Sequence, residues 1–320
     1  MQKQAIVSAN TLRKTPWQRF VLNFKKNWQL HLMMLLPLAY ILLFEFGPMY
    51  GLQIAFREFR PRKGIWGSEW VGLYQFERFF ANRRWVFYLR NTVTISLYQI
   101  AAGFPVPIIL ALILHISEKK ALKKIVQNVS YLPHFISTVI LVGIITTVLS
   151  PYSGLYGIIA KALGVEKVVD IRYNADTFYH LYVWSGVWQS MGWSAIMYVA
   201  ALSGVSPELH EAAKIDGASR WKRVLHVDLP AITPTICMML ILRFGSIISV
   251  GHEKAYLMQS GANIEVSEIV STYVYKKGIG DANYSFGTAV GLMNSVINTA
   301  MIVLVNWITD RLSDGENSLF

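Results

Sequence analysis

Cysteine is nearly absent from this sequence of 320 residues, in which Cys237 is the only one. A single cysteine cannot form a disulfide within the chain or build a cysteine metal site. Charge is scarce as well, because Asp, Glu, Lys and Arg supply 15% of the residues whereas hydrophobic residues supply 53%. A soluble chain of this length would need more charge on its surface. The composition therefore indicates a membrane protein without internal disulfides.

The dipeptide Gly-Lys does not occur in the sequence. The chain therefore lacks a Walker A loop, in which a Gly-Lys pair contacts nucleotide phosphates. A Cys/His metal cluster and a nucleophile elbow are missing too. We therefore expect the chain to be no enzyme and to hold no cofactor and no metal of its own.

Long apolar runs dominate what is present, and a spanning helix needs about 20 apolar residues. The first run continues past Pro37 without a small-residue cleavage site, so we expect it to be retained rather than removed as a signal peptide. We predict an all-α membrane protein with one transmembrane domain over residues 30–308, flanked by tails at 1–29 and 309–320. The six predicted spans lie within residues 30–56, 88–116, 126–149, 178–205, 229–250 and 284–308.

The net charge is +11, and the basic residues lie mostly in loops that flank the apolar runs. Anionic lipid headgroups are the expected counter-charge, and nucleic acid is not an expected partner. The tail 1–29 carries six Lys or Arg and no acid, which predicts a cytoplasmic N-terminus. Six spans then place both termini in the cytoplasm.

The loop 57–90 disagrees with this charge rule, because it would be external and yet carries eight Lys or Arg. Charge alone therefore does not settle the orientation. Within the loop, Phe76, Phe79 and Phe80 fit one face of an interfacial helix. The loop is interpreted as an aromatic belt at the membrane interface, with a docking surface for an external partner as the alternative.

A short polar island separates the fourth and fifth runs. It contains E-A-A at 211–213, a glycine at 217, and V-D-L-P at 227–230. Ser206 is an N-cap candidate, and the proline after it suits the first position of a helix. Gly217 can adopt the left-handed conformation that ends such a helix. The island therefore predicts a helix, a turn and a second helix, with small alanines that permit close docking.

The pattern of this island resembles the cytoplasmic coupling loop of binding-protein-dependent ABC importer permeases. The resemblance extends almost end to end, to the carbohydrate-importer branch and its LplB-like group for complex oligosaccharides and polysaccharide fragments. Further segments that carry it are Gly47-Pro48-Met49-Tyr50-Gly51, Trp70-Val71-Gly72 and Gly251-His252-Glu253-Lys254. Because a coupling loop must meet a cytoplasmic ATPase, the resemblance also supports the cytoplasmic placement of both termini.

The resemblance implies a type I importer permease in a bacterial plasma membrane, which moves an oligosaccharide by alternating access. The implied partners are a second homologous permease, two ATP-binding cassette subunits that bind ATP and Mg, and an extracytoplasmic solute-binding protein. The implied ATPase-coupling residues are Glu211, Ala212, Ala213, Asp216, Gly217, Leu229 and Pro230. A non-transport membrane scaffold, a membrane enzyme with dispersed carboxylates, and a substrate other than sugar are the alternatives.

Two stripes inside the predicted spans are candidates for a sugar path. Trp184 and Trp188 share a helical face beside Gln189, and aromatic faces can stack on sugar rings. Asn294 and Asn298 share a face of the sixth run. Packing is the alternative for both stripes, because Trp also marks the lipid interface and Asn also joins helices.

Two ionisable residues interrupt the apolar runs: Glu45 lies in the first and Arg243 in the fifth. An unpaired charge in a membrane is energetically costly, so we expect these two residues to form a structural or gating pair. An acidic polysaccharide would need several cations along its path, and Arg243 is the only Lys or Arg away from the ends of the predicted spans. We therefore expect an uncharged or weakly charged oligosaccharide as the substrate.

Overall fold

The structure is a computed structural model, and it describes Trp17 and residues 23–312. This part of the chain is mostly helical, with one β-hairpin. The predicted tails fall largely outside the described residues, which include only Trp17 and 23–29 of the first tail and 309–312 of the second.

The first span runs from Trp28 to Phe56 and changes its helical form along the way. Pro48 has no N–H to donate to the carbonyl four residues earlier, which accounts for the irregular backbone before it. Ala55 is the one buried residue of this span, so nearly all of its apolar surface faces outward. Its parts are α1 (Trp28–Tyr40), a π-helical stretch (Ile41–Phe46), α2 (Gly47–Met49) and a 3-10 stretch (Tyr50–Phe56).

An antiparallel hairpin and a short helix follow the first span. Strand β1 (Arg57–Arg60) pairs with β2 (Gly64–Trp70), and Arg57 lies opposite Trp70. Helix α3 (Tyr74–Ala81) buries Phe79 and leaves Phe80 exposed. The predicted helix in this loop is therefore present, but only part of its aromatic face is turned outward.

The remaining helices are α4 (Trp85–Gly103), α5 (Pro105–Ile116), α6 (Lys120–Tyr131), α7 (Thr138–Val148), α8 (Leu155–Ala162), α9 (Ala175–Ser203), α10 (Pro207–Ile215), α11 (Arg220–Arg223), α12 (Leu229–Ala231), α13 (Thr233–Phe244), α14 (His252–Met258), α15 (Ile264–Ser267), α16 (Val270–Val274) and α17 (Tyr284–Leu312). Shorter 3-10 or π-helical stretches are Pro61–Lys63, Leu132–Phe135, Val224–Asp228 and Tyr275–Gly280.

Three helical segments of the described chain are long and apolar enough to cross a membrane: Trp28–Phe56, Trp85–Ile116 and Tyr284–Arg311. Two bent pairs qualify only if each pair is taken as one span. The bend is 103° between Lys120–Phe135 and Thr138–Val148, and 61° between Arg220–Ala231 and Thr233–Phe244. The predicted spans at 126–149 and 229–250 are therefore broken rather than continuous. In the first, Ile136 and Ser137 are extended between the two helical segments. In the second, Pro234 begins the second helix, where it cannot donate a helical hydrogen bond to the turn before it.

Helix α9 corresponds to the predicted fourth span. With 29 residues it is long enough to cross a membrane, but it is not among the helices that are also apolar enough. It packs against α4, α5 and α6, and it buries Phe178, Tyr182 and Leu202. A helix enclosed by other helices can carry polar residues without exposing them to lipid. The six predicted spans thus become three apolar helices, two bent pairs and one more polar central helix.

Candidate functional site

The polar island folds into the predicted helix and turn, and local residues determine where α10 begins. The Ser206 side chain accepts a hydrogen bond from the backbone N–H of Glu208 at 3.3 Å. Pro207 occupies the first helical position. A backbone N–H at this position would have no partner within the helix, so proline loses no hydrogen bond there. Glu208 places a negative charge in the first turn, where the helix dipole favours it.

Gly217 ends α10 in a Schellman arrangement. Its φ is +75°. The N–H of Gly217 donates to the carbonyl of Lys214 at 3.0 Å, and the N–H of Ala218 donates to the carbonyl of Ala213 at 2.9 Å. These are the two bonds that define the motif. The predicted left-handed conformation of Gly217 is therefore confirmed.

Helix α10 is mostly exposed, and only His210 and Ala213 on it are half-buried. It contributes no buried residue to the described structure, and even Leu209 and Ile215 are 53% and 87% exposed. Glu211 and Ala212 are exposed as well. The large apolar side chains of α10 are thus left mostly uncovered by the described chain.

The second half of the island leads the chain back into the membrane domain. Helix α11 begins after Ser219, whose side chain accepts from the backbone N–H of Lys222 at 3.4 Å. A π-helical stretch, Val224–Asp228, then joins α11 to α12, which begins with Leu229 and Pro230.

Asp228 is buried where this segment meets the bundle, and two histidines approach it. Its Oδ1 atom lies 3.1 Å from Nε2 of His210 on α10 and 3.5 Å from Nε2 of His115 at the end of α5. A cavity of about 270 Å³ adjoins the three side chains. Arg220 lines this cavity and pairs with Glu118 at 2.7 Å. Sequence reasoning missed this cluster, because its histidines are 95 positions apart.

Trp184 and Trp188 of the predicted stripe are both exposed on α9, at 51% and 43%. Trp184 also donates from Nε1 to the Tyr98 hydroxyl at 2.9 Å. Gln189 donates from Nε2 to the carbonyl of Ile136 at 2.7 Å. Gln189 therefore stabilises the bend between α6 and α7, which favours the packing alternative for this residue.

A different tryptophan on α9 lines a cavity. Trp193 lies on the wall of a mostly apolar cavity of about 390 Å³, together with Phe104, Tyr198 and Arg243. The Trp193 ring is also stacked on His134, with ring centroids 4.5 Å apart. This cavity combines an aromatic face with a cation, which is a combination that neither predicted stripe contains.

Asn294 and Asn298 have different surroundings although both lie on α17. Asn298 accepts from the backbone N–H of Ile248 at 3.2 Å and donates to Ser249 Oγ at 2.8 Å. It therefore joins α17 to the segment after α13. Asn294 lines a cavity of about 710 Å³, and its buried Oδ1 has no hydrogen-bond partner among the described residues. Asn294 is the better placed of the two to meet a substrate.

The expected pair of Glu45 and Arg243 is not formed. No ion pair joins them within the described residues, and both side chains are exposed. The physical reason is their location: Glu45 lies on the outward surface of the first span, whereas Arg243 lines two cavities of the bundle. The second of these is a polar cavity of about 220 Å³ that Gln99 also lines.

Lys254 is a buried basic residue that sequence reasoning missed. It lies on α14, between the fifth and sixth spans, and is only 8% exposed. Its Nζ donates to the backbone carbonyl of Tyr182 at 2.7 Å and lies 4.7 Å from the centroid of the same residue's ring. Burial lowers the pKa of Lys254 to about 7.

The chain matches the family described as the inner membrane component of binding-protein-dependent transport systems, over residues 103–314. That match contains the whole polar island. The chain belongs to this family. The type I permease fold, the membrane location and the role as a transport permease that the sequence predicted are thereby confirmed, and the alternatives of a non-transport scaffold and a membrane enzyme are set aside.

Two curated relatives extend the likeness to the N-terminal part of the chain. The polygalacturonan/rhamnogalacturonan transport system permease protein YteP of Bacillus subtilis is 38% identical, over 98% of this chain and 97% of that protein. Protein LplB of the same species is 39% identical, over 90% of each chain.

Two solved structures are similar in fold and in sequence. One is a bacterial ABC transporter involved in the import of the acidic polysaccharide alginate, with a TM-score of 0.83, 34% identity, and coverage of 92% of this chain and 99% of that chain. The other is a bacterial alginate ABC transporter in complex with an alginate pentasaccharide-bound periplasmic protein, with a TM-score of 0.84 and 32% identity. It covers 94% of this chain and 100% of that chain.

Proposed function

We propose that this chain forms half of the translocation path of an ATP-driven importer for polysaccharide fragments that carry carboxylates. We further propose that α10 couples this path to a cytoplasmic ATPase. The observation that carries the proposal is α10 itself, an exposed helix with local caps at both ends, in a chain that is similar to transport permeases over nearly its whole length. The chain is therefore a subunit of a larger assembly.

The assembly would contain a second homologous permease, two ATP-binding cassette subunits, and an extracytoplasmic solute-binding protein. The solved relative in complex with a periplasmic protein supports the last of these. The absence of a Gly-Lys dipeptide from the sequence supports a separate site for ATP and Mg. ATP hydrolysis is accordingly assigned to the partner subunits.

Coupling needs a helix that the ATPase subunit can bind. Ala212 and Ala213 keep one side of α10 thin, so that it can enter a groove, and exposed Glu211 can accept a charge-assisted hydrogen bond from a basic residue there. Asp216 and Gly217 end the helix, and Leu229 with Pro230 begins the return to the bundle. With α10 in the cytoplasm, both termini lie in the cytoplasm and the hairpin 57–70 lies outside.

Two observations argue for an acidic substrate in place of the uncharged sugar expected from the sequence. YteP and the alginate transporter, which are 38% and 34% identical to this chain, are named for polygalacturonan, rhamnogalacturonan and alginate. In addition, the exposed Arg243 guanidinium lines two cavities of the bundle, where it can meet a carboxylate. A carboxylate that enters such a cavity is attracted to the guanidinium with less screening than in bulk water.

The cavity that contains Trp193 and Arg243 is the proposed contact point for the sugar. The Trp193 ring offers an apolar face for the C–H groups of a sugar, and the Arg243 guanidinium can bind a carboxylate through two hydrogen bonds. Asn294, in its separate cavity, is retained as a candidate for hydrogen bonding to the sugar. Trp184, Trp188, Gln189 and Asn298 are secondary candidates.

The test uses the complete transporter reconstituted in liposomes with its binding protein. Import of a short oligogalacturonate should fall by about tenfold or more in Arg243→Gln, because a charged hydrogen bond contributes about 1.5–3 kcal/mol. Arg243→Lys should retain part of the import, since it keeps the charge. Glu45→Gln is the matched control, because Glu45 is the other ionisable residue of the spans and lies on the outer surface.

Normal oligogalacturonate import by Arg243→Gln, at equal assembly, would contradict the proposed sugar contact. The coupling role is tested separately by the ATPase rate of the same preparations. Stimulation of ATP hydrolysis by the loaded binding protein should be lost in Glu211→Lys and kept in Glu208→Gln, a neighbouring exposed glutamate of α10. Equal stimulation in both variants would reject α10 as the coupling element.

A further inference from the structure

We propose that His115, His210 and Asp228 form a binding site for a divalent transition metal ion of the Zn²⁺ class, which fastens α10 to the membrane domain. The three side chains come from the end of α5, from α10 and from the stretch before α12. Each offers one ligand atom, and all three atoms lie within 4.8 Å of one another.

Two of the three separations match the edges of a metal coordination shell. Two ligands at about 2.1 Å from a tetrahedral ion lie about 3.4 Å apart. The separations from Asp228 Oδ1 to Nε2 of His210 and of His115 are 3.1 and 3.5 Å. The ligand nitrogens of the two histidines lie within 4.8 Å of each other, so a bound ion would draw them towards the same spacing of about 3.4 Å. The adjoining cavity could supply water as the fourth ligand.

A second observation argues against a simple hydrogen-bonded cluster. Asp228 is 1% exposed, and its Oδ1 makes no hydrogen bond of acceptable geometry with any described residue. The same holds for Nε2 of His210, although the two atoms are only 3.1 Å apart. The imidazole therefore does not point an N–H at the carboxylate. A buried polar atom left in this way is destabilising, and a metal ion would remove that penalty.

The surrounding charges restrict the kind of ion. Lys214, Arg220 and Arg223 line the adjoining cavity, and only Arg220 is paired with an acid among the described residues. These cations repel a hard ion such as Mg²⁺ or Ca²⁺, which is bound mainly by charge and by oxygen ligands. Zn²⁺ and its neighbours form strong bonds to neutral imidazole, so two histidines and one carboxylate suit them in spite of the basic surroundings.

A bound ion would restrain the proposed coupling helix, and this consequence rests on the proposed function. The ion would connect α10 to the end of α5 and to the beginning of the α12–α13 segment. Any movement of α10 relative to these spans during transport would have to break a metal–ligand bond. Zn²⁺ is therefore expected to slow the ATPase cycle that the binding protein stimulates.

The experiment measures binding first, so that it stands apart from transport. The assembled transporter, purified without a histidine tag and freed of metal by a chelator, is titrated with Zn²⁺ against a chromophoric chelator. One Zn²⁺ should bind per copy of this chain, and affinity should fall by about tenfold or more in His115→Asn and in His210→Asn, since each removes a ligand. Co²⁺ in place of Zn²⁺ should give the visible absorption of a tetrahedral site.

His226→Asn is the matched control, because His226 lies in the same loop and its ring contacts the carbonyl of Lys222. This variant should keep the affinity of the wild type. Equal Zn²⁺ affinity in wild type, His115→Asn and His210→Asn would overturn the proposal, as would an equal loss in His226→Asn. A lower thermal midpoint in His210→Asn with unchanged Zn²⁺ binding would also overturn it, and would show a plain ion pair with Asp228. Zn²⁺ binding without an effect on ATPase rate would leave the site in place and reject only the restraint on α10.

Discussion

Helices α9 and α10 are neighbours in the chain, and they are stabilised in opposite ways. Helix α9 has 29 residues, and eight of them are buried against other parts of the bundle. Helix α10 has nine residues and, within the described chain, buries none. Its ends are stabilised instead by local caps, Ser206 at the N-terminus and Gly217 at the C-terminus. The difference indicates that α9 is shaped by partners in its own chain, and the exposure of α10 fits the proposal that it binds another subunit.

The largest effect is expected at Gly192, where α9 packs closely against α6. A Cβ atom there would lie 2.1 Å from the carbonyl oxygen of Ser130 on α6. Gly192→Ala should therefore force α9 and α6 apart and destabilise the domain by about 1–3 kcal/mol or more. The amount of folded protein and its thermal midpoint in detergent measure this effect. Gly143→Ala is the control, because a Cβ there meets no described atom within 4 Å, and an unchanged midpoint for Gly192→Ala would contradict the packing argument.

Gly217→Val should disturb the end of α10, and the cause is backbone strain rather than packing. A Cβ on Gly217 would have open space around it, but the φ of +75° is unfavourable for a β-branched residue by about 1–2 kcal/mol. We expect normal membrane insertion and a thermal midpoint close to that of wild type, together with loss of sugar-stimulated ATP hydrolysis. Gly217→Asn should keep most of the coupling, because Asn tolerates this conformation. Wild-type import and ATPase rates in the valine variant would show that the turn is not needed for coupling.

The features that the sequence predicted correctly are those with local causes. Ser206, Pro207 and Gly217 determine their own helix ends, so their spacing was sufficient to predict α10. The bends within the third and fifth spans were harder to predict from the sequence, because a proline marks a possible break without giving its angle. The 103° bend lies at Ile136 and Ser137, beyond the turn that contains Pro133, and its angle depends on what packs around it.

The features that sequence reasoning missed are those that depend on distant partners. Glu45 and Arg243 were expected to pair because each is costly alone, yet the fold places them on different surfaces. Lys254 was outside the predicted spans, and only the contact with Tyr182 shows that it enters the core. Asp228 was part of the motif, but its two histidines come from other helices. Such contacts have no signal in the spacing of residues along the chain.

Lys254 contacts the backbone of α9, and we expect this contact to make the stability of the protein depend on pH. Because burial lowers its pKa from 10.5 to about 7, the unfolded chain binds more protons than the folded chain between these two values. Stability should therefore rise with pH from about 7 towards 10.5, by at most about 1.4 kcal/mol per pH unit from this residue. Below pH 7 both states are charged, and the penalty is constant.

Thermal unfolding of the purified protein between pH 7 and 9.5 tests this expectation. Lys254→Met should raise the midpoint at pH 7 and flatten its rise with pH relative to wild type. Lys161→Met, at an exposed position on α8, is the control and should leave the rise unchanged. If Lys254→Met and wild type show the same slope, the ammonium is not held in the interior as the contact with Tyr182 indicates.

The smallest effect is expected from removing the N-cap of each helix. Because the same change is made at the start of α9 and of α10, it compares their stabilisation directly. Ser206 caps α10 and Asn174 caps α9, where its side chain accepts from the backbone N–H of Asp176 at 2.9 Å. Loss of an N-cap costs about 1 kcal/mol in either helix. In α9 that loss is small beside the packing of eight buried residues, so Asn174→Ala should leave ATPase coupling and assembly unchanged. In α10 the cap is one of few stabilising contacts, so Ser206→Ala should fray the helix and lower sugar-stimulated ATP hydrolysis by up to about fivefold, while Ser206→Asp should restore it. Equal ATPase rates in Ser206→Ala and Asn174→Ala would mean that α10, like α9, is held chiefly by its contacts and that its caps are incidental.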